Sequence, residues 1–364
     1  MKNELERARE DIDRIDGEMA RLFEERMDAA RRVAQYKKKT GMRIFDPQRE
    51  EEIIARGAGR VKDETLRSYY VNFLHANMDI SKAYQSRLLS GMRVAFSGVA
   101  GAFAQLAAKK IFPDATPVGY ADFDAAWDAV EKGECDAAVL PLENSTNGDV
   151  GKVMDLAFFG SLFISGIYDV EVVQNLLVKK GTALSHIKTV ISHPQALGQC
   201  APFLKKNGWE TREAVNTAVA AKTVADGTDG SVAAIGSDIA AEEFGLEILK
   251  SHINEKGGNT TRFAVFTRTR STPSEKDGRF VMVFTVKNEA GALAKAISAI
   301  GTHGFNLRAI KSRPTKNLSW EYYFFCEGDG RIDGPEGEKM LALLRENCND
   351  LKILASYEKE ILLQ

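Results

Sequence analysis

The chain has 364 residues, 44% of them hydrophobic and 27% charged, and its formal net charge is −2. This length and composition exclude a disordered chain and predict two or three domains with separate cores. The near-neutral charge excludes a general attraction to nucleic acid or to an anionic membrane surface, so an anion site would have to come from a local cluster of residues.

The sequence also argues against a membrane segment, a disulfide framework and a metal centre. No apolar run approaches the roughly 18 residues that span a bilayer, and residues 1–4 lead into a charged helix. The four cysteines lie far apart, and no histidine stands at metal-ligand spacing: Cys135, Cys200, Cys326 and Cys348. We therefore expect a cytoplasmic protein with reduced thiols, no metal and no cofactor.

Residues 1–90 predict an all-helical domain. Apolar residues recur at steps of three and four along the first segment, which is typical of one amphipathic helix. A helix of that length spans roughly 50 Å, more than a small domain covers by itself, so we expect a homodimer in which a partner buries part of the stripe. Capping residues and glycines predict three helices, at about Leu5–Lys39, Asp46–Ala58 and Asp63–Leu89.

Residues 91–268 predict an α/β domain, because short strand candidates alternate with helices. Small or polar residues directly follow three of the strands, at Ser97-Gly98, Ser192-His193 and Gly236-Ser237. In open α/β sheets such junctions meet at the carboxyl edge, where helix N-termini present free N–H groups to an anion. We expect a cleft for a carboxylate ligand there, although any α/β protein needs turns of this kind.

Residues 279–364 predict a third domain. The preceding segment, 267–278, contains no apolar residue, which is typical of a solvated linker. After it, the pattern reads strand, helix, strand, strand, helix, strand, which is the order of a split βαβ, ferredoxin-like α+β unit.

Two cations of the first helix, Arg26 and Lys37, lie about three turns apart on one side, roughly 16 Å from each other. They could hold opposite ends of a small dianion. Arg9 is rotated from Arg26 by about 100°, so it could join such a site only across an intertwined dimer. A solvated charged face is the alternative interpretation; nucleic-acid binding is disfavoured because acidic residues balance the basic ones.

The first domain resembles the all-helical chorismate mutases. The matching residues are Arg9-Glu10, Asp16, Glu25-Arg26, Lys37, Asp46-x-x-Arg49-Glu50 and Ser81-x-x-x-Gln85. The family's Claisen rearrangement needs no nucleophile, only a folded dicarboxylate and stabilised charge on its ether oxygen. The resemblance implies that Arg26 and the partner's Arg9 hold carboxylates, that Lys37 and Gln85 donate to the ether oxygen, that Glu50 orients the ring hydroxyl, and that Asp46, Arg49 and Ser81 complete the site.

The second domain resembles prephenate dehydratase. The matching strings are Gly98-x-x-Gly101-x-Phe103, Pro141-Leu142-Glu143-Asn144-Ser145, Ser192-His193-Pro194-Gln195-Ala196-Leu197, Asn216-Thr217-Ala218 and Asn259-Thr260-Thr261-Arg262-Phe263. The resemblance implies two α/β lobes around a cleft, similar to type 2 periplasmic binding proteins, in which prephenate loses carbon dioxide and hydroxide. It further implies that Thr261 donates to the leaving oxygen, that Asn144, Ser145 and Gln195 are its polar partners, and that Arg262 lies near the substrate carboxylates.

The chain departs from the dehydratase pattern in its first βα turn. Ala102 and Ala104 stand where the family usually has hydroxyl side chains. Substrate contact at this turn would therefore rely on backbone N–H groups or water. A mutase with a weak or arogenate-preferring dehydratase is accordingly an alternative interpretation.

The third domain resembles the ACT regulatory domain, which implies feedback inhibition by L-phenylalanine. Residues at the matching positions are Gly291-Ala292-Leu293, Asn306, Leu307, Ser312-Arg313-Pro314 and Trp320. Lys311 stands where the family usually carries glutamate, which would cost affinity for an ammonium group unless Lys311 turns outward or Glu321 compensates. The function predicted for the whole chain is a bifunctional chorismate mutase/prephenate dehydratase; a non-enzymatic amino-acid sensor is a further alternative.

The residue type at position 85 predicts the pH dependence of the mutase. An amide donates a hydrogen bond at every pH, whereas a carboxylate would first need a proton. We expect mutase activity to stay high above neutrality in a pH series of initial rates on chorismate. A steep alkaline loss of rate in enzyme that is still folded by circular dichroism would contradict this role for Gln85.

Overall fold

A computed structural model describes residues 3–42, 44–254, 259–315 and 321–363. The chain divides into two compact units, Met1–Arg93 and Val94–Gln364. The first unit ends close to the predicted boundary at residue 90. The second contains both segments for which separate α/β and α+β domains are predicted, so that inner boundary stays a prediction.

The first unit consists of helices α1 (Glu4–Thr40), α2 (Pro47–Ala58) and α3 (Arg67–Ser90), with a 3-10 turn (Glu64–Leu66) before α3. Local capping chemistry sets their ends: Gly41 takes a left-handed φ of 70° after α1, and the Asp46 side chain accepts from the N–H of Arg49. The predicted bounds of α1 and α2 are confirmed. The regular part of the third helix begins later than predicted, because Asp63 caps the 3-10 turn.

The apolar face of α1 is largely exposed in the single chain. Ile12 and Leu22 are 56% and 52% exposed, and Met19 and Phe23 are also exposed. Among the described residues of this helix only Ala30 and Ala34 are buried. This face is the surface that the predicted homodimer would cover.

The second unit begins with an α/β lobe. Its elements are β1 (Arg93–Ser97), α4 (Phe103–Ile111), β2 (Thr116–Tyr120), α5 (Phe123–Glu131), β3 (Ala137–Asn144), β4 (Gly148–Asp149), α6 (Gly151–Phe159) and β5 (Phe163–Glu171). A second lobe follows with β6 (Asn175–Val178), β7 (Thr189–Ser192), α7 (Pro194–Gln199), α8 (Ala201–Asn207), β8 (Glu210–Glu213), α9 (Thr217–Asp226), β9 (Val232–Gly236), α10 (Asp238–Phe244) and β10 (Glu247–Lys250).

Two chain crossings join the lobes. The first lies between β5 and β6; the second lies between β10 and β11 (Thr260–Thr267), which returns to the first lobe between β5 and β3. The second-lobe sheet has the order β10-β6-β9-β7-β8. The predicted pair of α/β lobes is thus present, and the strand ends at the crossings face a common cleft.

The last part of the second unit is a four-stranded antiparallel sheet with two helices. Its elements are β12 (Arg279–Val286), α11 (Ala292–Thr302), β13 (Asn306–Pro314), β14 (Tyr322–Asp329), α12 (Pro335–Asn347) and β15 (Cys348–Tyr357). The sheet order is β13-β14-β12-β15, and the element order is the predicted one. The final strand, β16 (Ile361–Leu363), pairs in parallel with β5 of the first lobe.

This C-terminal sheet packs both of its faces. Phe280, Met282 and Phe284 pack against the module's own helices, whereas Val281 and Val283 join the core of the first lobe. Because residues of β12 alternate in direction, one face of the strand belongs to the module's own core and the other face to the core of the first lobe.

The segment predicted as a solvated linker is fastened to folded structure. Arg268 donates to the carbonyls of Val130 and Cys135 at 2.6 and 2.9 Å, and Arg270 pairs with Asp333 at 2.7 Å. Residues 272–276 are exposed, as expected of a solvated linker, but the composition of the segment did not indicate the distant partners that bind Arg268 and Arg270.

The packing of α12 predicts that replacing Gly337 by alanine destabilises the protein, whereas the same replacement at Gly301 of α11 does not. A Cβ at Gly337 would overlap the backbone carbonyl of Ile332, whereas a Cβ at Gly301 meets no atom within 4 Å. We expect Gly337→Ala to lower the free energy of unfolding by about 2 kcal/mol or more through overpacking. Gly301→Ala should be neutral or stabilising by up to about 1 kcal/mol, because alanine favours a helix. Thermal unfolding of both variants checks this; equal melting temperatures would contradict it.

Candidate active sites

Burial of one face of α3 brings Arg26 and Ser81 together in the first unit. The Arg26 guanidinium donates to the Asn77 carbonyl at 3.1 Å and to the Ser81 hydroxyl, which itself donates to that carbonyl at 2.8 Å. Burial lowers the pKa of Arg26 from its ordinary value, but a guanidinium stays charged. The site therefore contains a half-buried positive charge whose hydrogen-bond partners, a carbonyl and a hydroxyl, are both neutral.

Lys37 and Asp46 lie on either side of the turn from α1 to α2. The Lys37 ammonium donates to the Ile44 carbonyl at 2.6 Å, and Asp46 caps α2 by accepting from the N–H of Arg49 at 3.1 Å. The Arg49 guanidinium pairs with Glu52 at 3.0 Å. Asp46 and Arg49 thus make local contacts of the α2 N-terminus in this structure.

Glu50 has a partner that sequence reasoning missed. Lys82 lies 3.0 Å from the Glu50 carboxylate and 5.3 Å from the centre of the Phe45 ring. Burial opposes its charge, but the hydrogen bonds that Lys82 donates to Asp79 and Glu50 raise the pKa of Lys82. Its position directly after the motif residue Ser81 was the sequence signal that could have indicated a role for Lys82.

Gln85 is only 8% exposed, one turn beyond Ser81 on the buried side of α3. Its Oε1 atom is buried and has no hydrogen-bond partner among the described residues. An unmet buried amide oxygen is costly, and a bound ligand or a rotation of the amide would remove that cost. Arg9 lies apart from this cluster, exposed on α1 and about 25 Å from Arg26 along the helix axis.

The second unit contains a cleft of about 330 Å³ between its two lobes. Strand ends and helix N-termini from both lobes line it: Phe103, Asn144, Asn147, Val172, Gln174, His193, Gln195, Ala196, Val215, Asn216, Thr217, Asn259 and Thr261. Three of the predicted catalytic residues, Asn144, Gln195 and Thr261, therefore share one cavity.

The pairing of β3 with β11 places Asn144 directly opposite Thr261. The Asn144 amide nitrogen donates to the Thr261 hydroxyl oxygen at 2.9 Å and to the Asn259 side chain at 2.7 Å. Its oxygen accepts from the N–H groups of Thr146 and Asn147, both at 3.0 Å. Because Thr261 accepts from Asn144, its own proton is left to point to another acceptor in the cleft.

Gln195 lies in the first turn of α7, where the His193 ring nitrogen accepts from its backbone N–H at 3.3 Å. Ser145 does not line the cavity; its hydroxyl accepts from the N–H of Thr260 at 2.9 Å. Ser145 thus joins the end of β3 to the start of β11.

The structure does not support the predicted position of Arg262 beside the substrate carboxylates. The Arg262 guanidinium lies 3.2 Å from both Asp169 and Glu327 and 3.9 Å from Glu143. Consecutive strand residues face opposite sides, so the residue that follows Thr261 turns away from the cleft. Burial opposes its charge, but Glu327 and Asp169 raise the pKa of Arg262, whereas burial raises that of Glu327.

The first βα turn uses a backbone group that was expected to contact substrate. The N–H of Gly101 donates to the Gln105 side chain at 2.6 Å, and the Ser237 hydroxyl donates to the Gly101 carbonyl at 3.0 Å. Phe103 is the residue from this turn that lines the cleft. This turn, which has Ala102 and Ala104 in place of hydroxyl residues, therefore joins the two lobes through the contact of Gly101 with Ser237.

Some of the residues predicted to bind phenylalanine lie in the core of the C-terminal module, and others lie on its surface. Ala292 is buried, and Leu293 and Leu307 pack on the module core, whereas Gly291 has a left-handed φ of 83° before α11. Asn306 donates to Asp329 at 3.1 Å, and Ser312 is exposed. Arg313 binds Asp155 of the first lobe at 2.8 and 3.1 Å. Trp320 lies outside the described residues.

Gln174 is a cleft residue that the sequence analysis missed. It is 3% exposed at the first lobe crossing, and its Oε1 has no hydrogen-bond partner among the described residues. Neither a motif nor a strand end marked this position. His193, Asn216 and Asn259 belong to strings already noted but had no assigned role.

Within the described ranges, no group of three or more histidine, cysteine, aspartate or glutamate residues could hold a metal ion. No helix in those ranges combines the length and apolar character needed to cross a membrane.

Comparison with known proteins decides the family. Sequence models of chorismate mutase type II and of prephenate dehydratase match residues 8–86 and 94–271. A bifunctional chorismate mutase/prephenate dehydratase of Aquifex aeolicus is 32% identical over 372 aligned residues, covering 99% of both chains. The chain belongs to the bifunctional chorismate mutase/prephenate dehydratase family. Both enzymatic activities follow, and the non-enzymatic sensor is thereby set aside.

Two solved structures resemble the dehydratase part of this family member. Prephenate dehydratase from Arthrobacter aurescens in complex with L-Phe is 28% identical, with a TM-score of 0.67 over 74% of this chain and 90% of that chain. GqqA, described as a novel type of quorum quenching acylase, is 29% identical, with a TM-score of 0.68 over 73% of this chain and 97% of that chain. The dehydratase fold is thus shared with proteins of more than one described activity.

Proposed function

We propose that the helical unit converts chorismate to prephenate with the side chains assigned above and that the cleft converts prephenate to phenylpyruvate. In the helical unit, Arg26, Lys37 and Gln85 supply two cations and an amide. These groups suit a dicarboxylate whose rearrangement needs a compact conformation and a stabilised ether oxygen. Because Arg9 lies far from this cluster, its carboxylate-binding role requires a homodimer, and the exposed apolar face of α1 supports one.

The dehydratase proposal rests on one observation, the 2.9 Å hydrogen bond from Asn144 to the Thr261 hydroxyl. Since this bond occupies a lone pair of Thr261, the threonine proton can point at the departing ring hydroxyl. Loss of carbon dioxide pushes electrons into the ring, and hydroxide leaves as the ring becomes aromatic. A threonine is a weak acid, so Thr261 stabilises the leaving oxygen by hydrogen bonding, and Gln195 lines the same cavity as a further polar group.

Two single substitutions test whether the two sites act independently. Lys37→Ala should lower the chorismate mutase kcat at least about 100-fold and leave the dehydratase unchanged. Thr261→Val should lower the dehydratase kcat at least about 100-fold and leave the mutase unchanged, because valine keeps the shape but removes the donor. Disappearance of chorismate and formation of phenylpyruvate from added prephenate measure the two steps separately.

Thr261→Ser is the matched control, since it restores the hydroxyl and should recover most of the lost dehydratase rate. Loss of both activities from either single substitution would contradict separate sites. Full dehydratase activity in Thr261→Val would reject the assigned role of its hydroxyl. Arogenate assayed beside prephenate distinguishes the alternative substrate preference.

We further propose that the C-terminal module is an ACT-type domain through which L-phenylalanine inhibits the dehydratase. The complex of the Arthrobacter aurescens relative with L-Phe supports this effector. In this chain the exposed Ser312 hydroxyl and the open backbone at Gly291 offer polar groups for an amino acid. Inhibition requires that phenylalanine bind the less active conformation more tightly than the active one.

Phenylalanine should therefore inhibit phenylpyruvate formation from prephenate. Ser312→Ala should raise the concentration for half-inhibition about fivefold, the effect of one lost hydrogen bond. Ser298→Ala removes another exposed hydroxyl from the same module and should change nothing. Equal inhibition curves for wild type and Ser312→Ala would remove Ser312 from the effector site, and no inhibition of wild type would reject the feedback proposal.

A further inference from the structure

Lys311 connects the C-terminal module to the strands that carry the dehydratase site. Its side chain is only 16% exposed. The ammonium lies 3.0 Å from Glu143 and 2.6 Å from Asp149, two carboxylates of the first lobe. It therefore neither turns out to solvent nor relies on Glu321 for its charge partners. Although burial opposes its charge, hydrogen bonds to Asp149 and Glu143 raise the pKa of Lys311.

The two carboxylates need a cation because of strand pairing. Glu143 of β3 lies directly opposite Asp149 of β4. Like charges in such a cross-strand position repel each other. Arg262 lies 3.9 Å from Glu143 and is closer to Asp169 and Glu327. Lys311 is thus the cation in contact with both members of the Glu143–Asp149 pair among the described residues.

The proposed catalytic pair lies one residue along the same strands. Register pairs Glu143 with Arg262 and, next to them, Asn144 with Thr261. On the other side of β3, Asn144 pairs with Gly148, the residue before Asp149. The turn from β3 to β4 also holds the Asn144 amide oxygen through two backbone N–H groups. A change in the spacing of Glu143 and Asp149 would therefore alter the direction in which the Asn144 amide points.

We propose that Lys311 is a positioning residue for the dehydratase: by holding Glu143 and Asp149 together, it orients Asn144 toward Thr261 across the back of the site. Lys311 does not line the cleft, so it acts through Asn144. This inference rests on the proposed roles of Asn144 and Thr261. It also makes the C-terminal module part of the catalytic framework, because the side chain comes from β13.

The test is a kinetic comparison of full-length variants with prephenate as substrate. Lys311→Gln should lower the dehydratase kcat about tenfold or more and change KM less than about threefold, since small displacements of a catalytic group mainly affect the chemical step. Lys311→Arg keeps the charge and should retain kcat within about threefold. The mutase rate of each variant should match that of wild type.

Lys352→Gln is the matched control. This half-buried lysine also joins the C-terminal module to the first lobe, but it donates to the backbone carbonyls of Ala157 and Gly160, at 3.1 and 2.6 Å. It should leave kcat within about threefold, because it contacts neither β3 nor β4. An equal loss in Lys352→Gln and Lys311→Gln would show a general interface effect and overturn the proposal.

An exchange of charges keeps the proposal testable if Lys311→Gln fails to fold. Lys311→Glu should be nearly inactive as a dehydratase, and adding Asp149→Lys should recover at least about tenfold in kcat. A wild-type kcat in Lys311→Gln, or no recovery in the exchange, would overturn the role of Lys311. The Thr261→Val result separates the two proposals. If Thr261→Val retains dehydratase activity, the assigned site itself is rejected. If Thr261→Val is inactive and Lys311→Gln is fully active, only the positioning role of Lys311 is rejected.

Discussion

The antiparallel pairing of β3 with β11 is the constraint on which the second unit depends. It brings together residues that are more than 100 positions apart in the sequence. Asn144 pairs with Thr261, and Glu143 pairs with Arg262. Since strand residues alternate in direction, the same pairing makes a neutral hydrogen-bonded wall on the cleft side and a charged layer behind it. Hydroxyl and amide side chains line the cleft, whereas the charged side chains behind it form ion pairs with residues of the C-terminal module.

That charged layer explains why the module is part of the framework. Three cations with largely buried side chains each pair with a carboxylate across the boundary between the module and the first lobe: Arg262, Lys311 and Arg313. Removing one partner of such a pair leaves a charge in a poorly solvated place, which costs more than the pair itself contributes. Separation of the module would expose these charges together with the apolar face of β12. The proposed feedback through the module would therefore need less free energy if it used small shifts of the module than if it used dissociation.

The sequence predicted those features whose causes are local. Capping residues such as Asp46 and Gly41 define helix ends by contacts within a few residues, so α1 and α2 match their predicted bounds. Family motifs placed Asn144, Gln195 and Thr261 in one cleft. The residues themselves do not say which face of β11 meets the cavity, so the sequence did not indicate the ion pairs of Arg262 with Asp169 and Glu327. The partners of Lys311 are more than 160 positions away, and no pattern in the chain indicates them.

The two active sites differ in how their groups are held, and this difference follows from the chemistry. The proposed mutase groups lie on helices, where Arg26 and Lys37 keep their spacing through the regular rise of α1. A pericyclic step needs fixed charges more than a directed proton. The dehydratase must aim one hydroxyl at one leaving oxygen. The proposed donor, Thr261, lies within a sheet, where its partner Asn144 is held by both the neighbouring strand and the following turn. Direction in the proposed site comes from long-range strand pairing, and the proposed role of Lys311 extends that dependence to the C-terminal module.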